Sequence, residues 1–159
     1  MIFVCMQPFI RFQARLITKS KEEIDLFKRF FLEIFDEKEQ KIIEQKQDSF
    51  IDSQEETTFI QTLLFEKKRH LAKIIPHVFS FMSKMQLQEI LEQLDSRIDE
   101  DCFFFLRFTK QILLQKTVEL TQSGDCVHCQ FLVGSYPAKK ESAVSAVESF
   151  LNHQMNSTI

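Results

Sequence analysis

Residues 9–17, FIRFQARLI, place Ile10, Phe12, Ala14 and Leu16 on one side of an extended chain and Arg11, Gln13 and Arg15 on the other. That period of two predicts a strand with one face in a core and the other wet. The period then changes. SKEE supplies Ser20 as a helix N-cap with Glu23 three residues on, and Ile24, Phe27, Phe30, Phe31, Ile34 and Phe35 follow at helical spacing. A strand with one wet face running into a helix with one apolar stripe calls for a layered arrangement of sheet and helix. With 159 residues, of which 18 are Phe, the expectation is one domain over 1–159.

The remaining segments continue the alternation. Residues 36–56 are charged and Gln-rich, with Ile42, Ile43, Phe50 and Ile51 as apolar anchors, and predict a short strand near Ile42 with a mobile loop over 44–56. TTFIQTLLFEK at 57–67 reads as a strand. Helical spacing resumes with Leu71, Ile74, Ile75, Val78, Phe79 and Met82, where Pro76 predicts a kink or two shorter helices, the second over Leu87, Ile90, Leu91 and Leu94. CFFFLRF at 102–108 and ILLQKTVEL at 112–120 read as strands, the second pairing with Val127 to Val133 across a turn at Ser123, Gly124 and Asp125. A last helix beginning near Pro137 buries Ala143, Val144, Val147, Phe150 and Leu151. The fold class expected is α+β, an open, mostly antiparallel sheet with helices packed on one face.

Several chemistries lack their signatures. His70, His77, His128 and His153 stand at no familiar spacing from a nucleophile, and Gly124 and Gly134 cannot build a phosphate loop, so the chain is not expected to be an enzyme or to hold a cofactor. CVHC at 126–129 has zinc-ligating residue types, but on a strand Cys126 and His128 face away from Val127 and Cys129, and no second ligand pair is near. Asp99, Glu100 and Asp101 supply too few ligands for a hard cation and read as a solvated loop. No metal is expected. Cys5, Cys102, Cys126 and Cys129 are scattered and form no disulfide framework, which suits a reducing cytoplasm. Met1 to Phe9 is apolar but lacks a basic leader region and a cleavage site, so it reads as a lead into the first strand, and no apolar run is long enough for a membrane helix.

A formal net charge of −3 gives no global attraction to nucleic acid, so any such binding must come from a local patch. SYPAKKES at 135–142 puts Lys139 and Lys140 at a helix start, where unpaired N–H groups already carry partial positive charge and an anion is favoured. Lys67, Lys68 and Arg69 form another basic cluster.

SRIDEDCFFFLRFTKQ and, after a hairpin, VGSYPAKKESAVSAVESFL resemble the C-terminal half of an archaeal family described as RNA-binding proteins or predicted exosome subunits. Members of that family resemble in fold the large-subunit ribosomal protein that binds five-S RNA. The matching positions are Arg107, Phe108, Lys110 and Gln111, then Tyr136, Pro137, Ala138, Lys139, Lys140 and Glu141. The chain departs from the family at Thr109, where an acid is usual, at Cys102, where Gly is usual, and near 55–59, where a Gly-Asn-Pro turn is missing. The resemblance implies an RNA-binding accessory protein, associated with the exosome, that holds phosphate backbone on Arg107, Lys110, Gln111, Tyr136, Lys139 and Lys140. Tyr136, Phe103 and Phe105 can stack bases if their sheet face is open, and core packing is the plainer role for the two Phe residues. The alternative is a protein-interaction module or homodimer, whose association would be nearly indifferent to salt.

Overall fold

The computed structural model describes residues 7–157; the lead-in Met1 to Met6, with Cys5, lies outside the described residues. Five strands form one open antiparallel sheet in the order β2-β3-β1-β5-β4, with helices on one face. They are β1 (Phe9–Thr18), β2 (Glu44–Ile51), β3 (Thr57–Phe65), β4 (Phe103–Phe108) and β5 (Val127–Val133). The helices are α1 (Lys21–Leu32), α2 (Glu37–Ile42), α3 (Lys68–Phe79), α4 (Lys84–Glu92), α5 (Leu94–Arg97), α6 (Gln111–Gln115) and α7 (Lys140–Ser157). The α+β architecture expected from the alternating periods is therefore present.

The chain sorts into two compact units, each discontinuous in sequence, and β1, β4 and β5 contribute residues to both. The first unit takes in residues up to Phe12, Glu66–Phe105 and those from Gln130 onward. Its core is a set of phenylalanine rings: Phe9 lies 4.9 Å from Phe131 and 5.3 Å from Phe150, and Phe79 lies 5.0 Å from Phe150. Each ring fully removed from water contributes about 1.5–3 kcal/mol, and edge contacts add to that. Phe9 is 2% exposed whereas Ile10 is 56% exposed, so Ile10 does not join Phe12, Ala14 and Leu16 on the core face as the strict alternation predicted. The alternation holds from Phe12 onward. Gly134 explains part of this: its backbone abuts Ile10, and a Cβ there would stand 2.5 Å from Ile10 Cγ2.

Pro76 neither ends nor divides its helix. α3 runs through it to Phe79, and the Pro76 carbonyl still accepts from the Ser80 N–H at 2.9 Å. A new helix starts at Ser83, whose side chain accepts from Gln86 N while the Gln86 side chain accepts from Ser83 N, a complete capping box. α7 starts at Lys140 rather than near Pro137, and the Lys139 carbonyl takes its first N–H, that of Ala143, at 3.0 Å.

The second unit comprises Gln13–Phe65 and Leu106–Cys129. α1 packs Phe27 against Phe31 at 5.0 Å and Phe31 against Phe30 at 4.9 Å, and Phe35 stacks on Phe65 of β3 at 6.0 Å. Ser20 caps α1 by accepting from Glu23 N, but the Glu23 carboxylate does not return to the Ser20 N–H; it accepts from Thr18 Oγ1 and Lys110 Nζ. Residues 44–56 are not a loop throughout: Glu44–Ile51 is β2, antiparallel to β3 with Gln47 opposite Gln61, and only 52–56 turns. Near Ile42 the chain is helix α2, because Asp36 caps it by accepting from Glu39 N at 2.8 Å.

The stretch 112–120 also differs from the strand expected. Gln111–Gln115 is helix α6, which buries Ile112 and Leu113, and Lys116 ends it in a left-handed conformation with φ 53°. The extended residues beyond it pair with β4 rather than β5: Thr109 N–H donates to Glu119 O at 2.8 Å and Thr121 N–H to Arg107 O at 3.0 Å. Five consecutive apolar or Gln side chains, Gln111 to Gln115, fit a short helix as well as a buried strand, and packing against α1 decides between them.

Candidate nucleic-acid interface

In the second unit, β1, β5 and β4 are neighbours in that order. Along β1, Ala14, Leu16 and Thr18 are buried and Gln13, Arg15 and Ile17 face the other way. Val127 and Cys129 are buried on β5 while His128 is half-buried between them, and Leu106 and Phe108 on β4 flank an exposed Arg107. Alternation on three adjacent strands thus puts Arg15, His128 and Arg107 on the sheet face that carries no helices. Electrostatics agrees with the geometry. Burial lowers the His128 pKa, and the charges of Arg15 and Arg107 lower it further. The imidazole is held neutral between two guanidinium groups, in a small field that favours an anion.

The Arg107 guanidinium is steadied by donating to the Gln122 carbonyl at 3.3 Å, which leaves donors directed elsewhere. Among the described residues Arg15 makes no ion pair. Arginine suits such a place because its planar fork can give two parallel hydrogen bonds to a phosphate.

Lys110 is differently engaged. Its ammonium lies 2.7 Å from Asp125 Oδ1 and 3.1 Å from Glu23 Oε1, donates to Ile17 O at 3.2 Å, and its side chain is only 19% exposed. Burial lowers its pKa, but hydrogen bonds to Asp125 and Glu23 more than offset this, and the net direction is upward. Two carboxylates against one ammonium leave no positive charge to offer a phosphate, so Lys110 ties the end of β4 to α1. Gln111 is exposed at the start of α6.

Tyr136, Lys139 and Lys140 belong to the first unit. Tyr136 is fully exposed. Lys139 is exposed at the N-cap of α7, and Lys140 lies 3.5 Å from Asp95 Oδ1 with 21% of its side chain exposed. An anion at this helix start therefore already exists in part, in Asp95 of α5. Lys67, Lys68 and Arg69 open α3, whose first turn has no acidic residue. Phe103 and Phe105 are half-buried, opposite the buried Phe104 and Leu106, with rings 6.4 Å apart. Core packing, the plainer expectation, is thus the role of Phe104 rather than of its neighbours.

Cys126, 5% exposed, and Cys129, fully buried, both have thiols shifted upward by burial, so they are protonated rather than ligand-ready. Asp99 is a turn residue, accepting from the N–H groups of Asp101 and Phe103 at 2.9 and 3.0 Å. Among the described residues no group of three or more His, Cys, Asp or Glu is placed to hold a metal ion, and no helix is long and apolar enough to cross a membrane.

Sequence reasoning had put Arg15 on the wet side of β1 but had not joined it to Arg107, because nothing local says that β5 lies between their strands. By residue type and spacing His128 suggests only a zinc ligand or a partner to a nucleophile, and neither reading leads to the two arginines.

A family model described as RNA binding matches residues 11–133. The RNA-binding protein PAB1135 of Pyrococcus abyssi is 29% identical over 83 residues, 52% of this chain and 54% of that protein, so the chain spans about half the length of the curated relative it matches. Among solved structures, Mth689, a DUF54 protein from Methanothermobacter thermautotrophicus, superposes with a TM-score of 0.68 at 20% identity, covering 90% of this chain and 98% of that one. SSO0741 from Sulfolobus solfataricus gives 0.72 at 14% identity, covering 94% and 99%. These likenesses establish the fold.

Proposed function

The chain belongs to this RNA-binding family, and from that premise we propose that it binds RNA through the phosphate backbone, on the helix-free sheet face at Arg15 and Arg107 with His128 between them. The observation that carries the reading is geometric: alternation on the adjacent strands β1, β5 and β4 sets Arg15, His128 and Arg107 on the same sheet face; the His128 pKa, lowered chiefly by burial and further by the two guanidinium charges, is consistent with it. With two principal phosphate contacts and no groove-reading element, little sequence discrimination is expected. The role is that of an accessory protein without a catalytic step of its own, working in the cytoplasm beside RNA-processing machinery such as the exosome. Lys139 and Tyr136, in the first unit, are a separate candidate contact.

The test is fluorescence anisotropy of a labelled single-stranded RNA and a hairpin RNA at low and moderate salt. Wild type is set beside Arg15→Glu with Arg107→Glu, and beside Lys139→Glu with Lys140→Glu. Removing two phosphate contacts should lower the salt slope by about 1.4 for single strands. Equal salt-dependent binding by wild type and the arginine double variant would overturn the site. No binding by wild type at low salt would overturn the function. The alternative is a protein-interaction module or homodimer that meets its partner through buried apolar area, and association nearly indifferent to salt would favour it.

A further inference from the structure

We propose that β2 is a self-complementary edge, and that two copies of the chain pair antiparallel through it about a two-fold axis at Gln47. β2 ends the strand order, and all of its residues from Glu44 to Ile51 are exposed. Sheet edges are ordinarily blunted by shortness, proline or a bulge. Here eight residues run in unbroken register against β3, and none is proline. Charge is the remaining device, and the charges are arranged to match a second copy.

The backbone sets which residues can take part. Asp52 N–H donates to Glu56 O at 2.9 Å, which makes that pair a hydrogen-bonded position of the β2–β3 ladder. By antiparallel alternation Phe50, Asp48 and Lys46 also turn their N–H and C=O groups towards β3. Gln45, Gln47 and Ser49 turn theirs to the open edge. Another β2 can bond only with these same residues facing one another, which limits the registers. Centring on Gln47 sets Gln47 against Gln47 and Gln45 against Ser49 as hydrogen-bonded pairs. Lys46 of each copy then stands opposite Asp48 of the other, in the non-hydrogen-bonded position where cross-strand side chains come closest.

Neighbouring registers are worse. A shift of the axis to Asp48 opposes two aspartates, and a shift to Lys46 opposes two lysines. Centring on Gln45 pairs Glu44 with Lys46 but shortens the overlap to three residues of β2, and centring on Ser49 sets Asp48 against Phe50 with no opposite charges facing; centring on Gln47 also sets Glu44 against Phe50, but it alone combines a seven-residue overlap with two Lys46–Asp48 pairs. Within one chain Lys46 Nζ already lies 3.6 Å from Asp48 Oδ2 on the same sheet face, both largely exposed. A second copy closes these into a ring of two positive and two negative charges. This interface uses residues apart from the RNA surface proposed above and does not depend on it.

The experiment is sedimentation velocity of the full chain over a micromolar dilution series, without RNA. The wild type should be a reversible dimer. Gln47→Pro removes an edge-facing N–H without touching a β2–β3 bond, and should be monomeric with an unchanged circular dichroism spectrum. Lys46→Asp and Asp48→Lys each turn both attractive pairs repulsive and should weaken the dimer by about tenfold or more. The double variant Lys46→Asp with Asp48→Lys restores opposite charges and should recover wild-type association. A wild type that stays monomeric throughout would overturn the proposal and leave the β2 charges as a guard against pairing. So would a dimer indifferent to Gln47→Pro and the single reversals, or a double variant as weak as either single one.

Discussion

Glu55 offers a direct test of how backbone geometry weighs against side-chain identity in this fold. The turn between β2 and β3 is closed by Asp52 N–H to Glu56 O at 2.9 Å and Glu55 N–H to Asp52 O at 3.0 Å, while Asp52 Oδ1 accepts from Gln54 N and Glu56 N. Glu55 has φ 62°, the left-handed position that glycine usually fills in a hairpin of this kind. A side chain there costs about 1–2 kcal/mol through the Cβ and carbonyl clash. Glycine in its place adds about 0.4–1 kcal/mol of unfolded-state entropy to be lost on folding. Glu55 is exposed, so little burial is forfeited. Glu55→Gly should therefore stabilise the protein by about 0.5–1 kcal/mol, read as a higher urea midpoint at unchanged m-value, with Tm up by roughly 2–4 °C per kcal/mol. Cys102, at φ 69°, is the control. Its backbone is pinned by Cys102 N–H to Asp99 O and Val133 N–H to Cys102 O, but its side chain is 4% exposed, so Cys102→Gly gives up about 1 kcal/mol of burial and should be close to neutral. If Glu55→Gly lowered stability, or gained no more than Cys102→Gly, the strain argument would fail.

Three other perturbations follow from the packing and the charges. Gly134→Ala, which sets a Cβ against Ile10 Cγ2, should cost about 1–2 kcal/mol in chemical denaturation, and adding Ile10→Ala should recover most of it. Lys110→Met removes the ammonium from Glu23, which keeps its hydrogen bond from Thr18 Oγ1, and from the largely exposed Asp125, and should cost about 1 kcal/mol. Because the folded pKa of Lys110 is raised above 10.5, the wild type holds that advantage below that pH and loses it as pH climbs through the folded value, where the two midpoints should converge. His128, lowered below 6.5, works with the opposite sense: its contribution is complete above about pH 6.5 and is lost as pH falls through the depressed folded value. His128→Gln should flatten that acid limb in a pH series of thermal unfolding, and an unchanged limb would count against the Arg15–His128–Arg107 arrangement.

Cys102 and Glu55 both adopt positive φ, a conformation that glycine takes without strain. Surrounding hydrogen bonds hold each of them there: Cys102 N–H to Asp99 O and Val133 N–H to Cys102 O for the first, Glu55 N–H to Asp52 O for the second.

Period and punctuation in the sequence were enough to establish β1 from Phe12 onward, α1 behind Ser20, the presence of β4 and β5, and most of the apolar side of α7, where Val144 is only half-buried, because each depends on neighbours a few residues away. They did not establish the core face of β4, which Phe104, Leu106 and Phe108 fill while Phe103 and Phe105 stay half-buried. They misjudged 112–120 and 44–56, where short apolar or polar runs suit more than one conformation and partners distant in sequence choose between them. β2 exists because β3 supplies its hydrogen bonds, and α6 because Ile112 and Leu113 find cover. The site divides in the same way. Alternation alone puts Arg15 on the wet side of β1 and sets Cys126 and His128 opposite Val127 and Cys129 on β5, whereas the face of β4 that carries Arg107 was decided by packing, because Phe104, Leu106 and Phe108 take the core. The meeting of Arg15, His128 and Arg107, the neutralisation of Lys110 by Glu23 and Asp125, and the pairing of Lys140 with Asp95 were decided by tertiary structure, because strand order and long-range ion pairs bring together residues whose separation along the chain leaves no local trace.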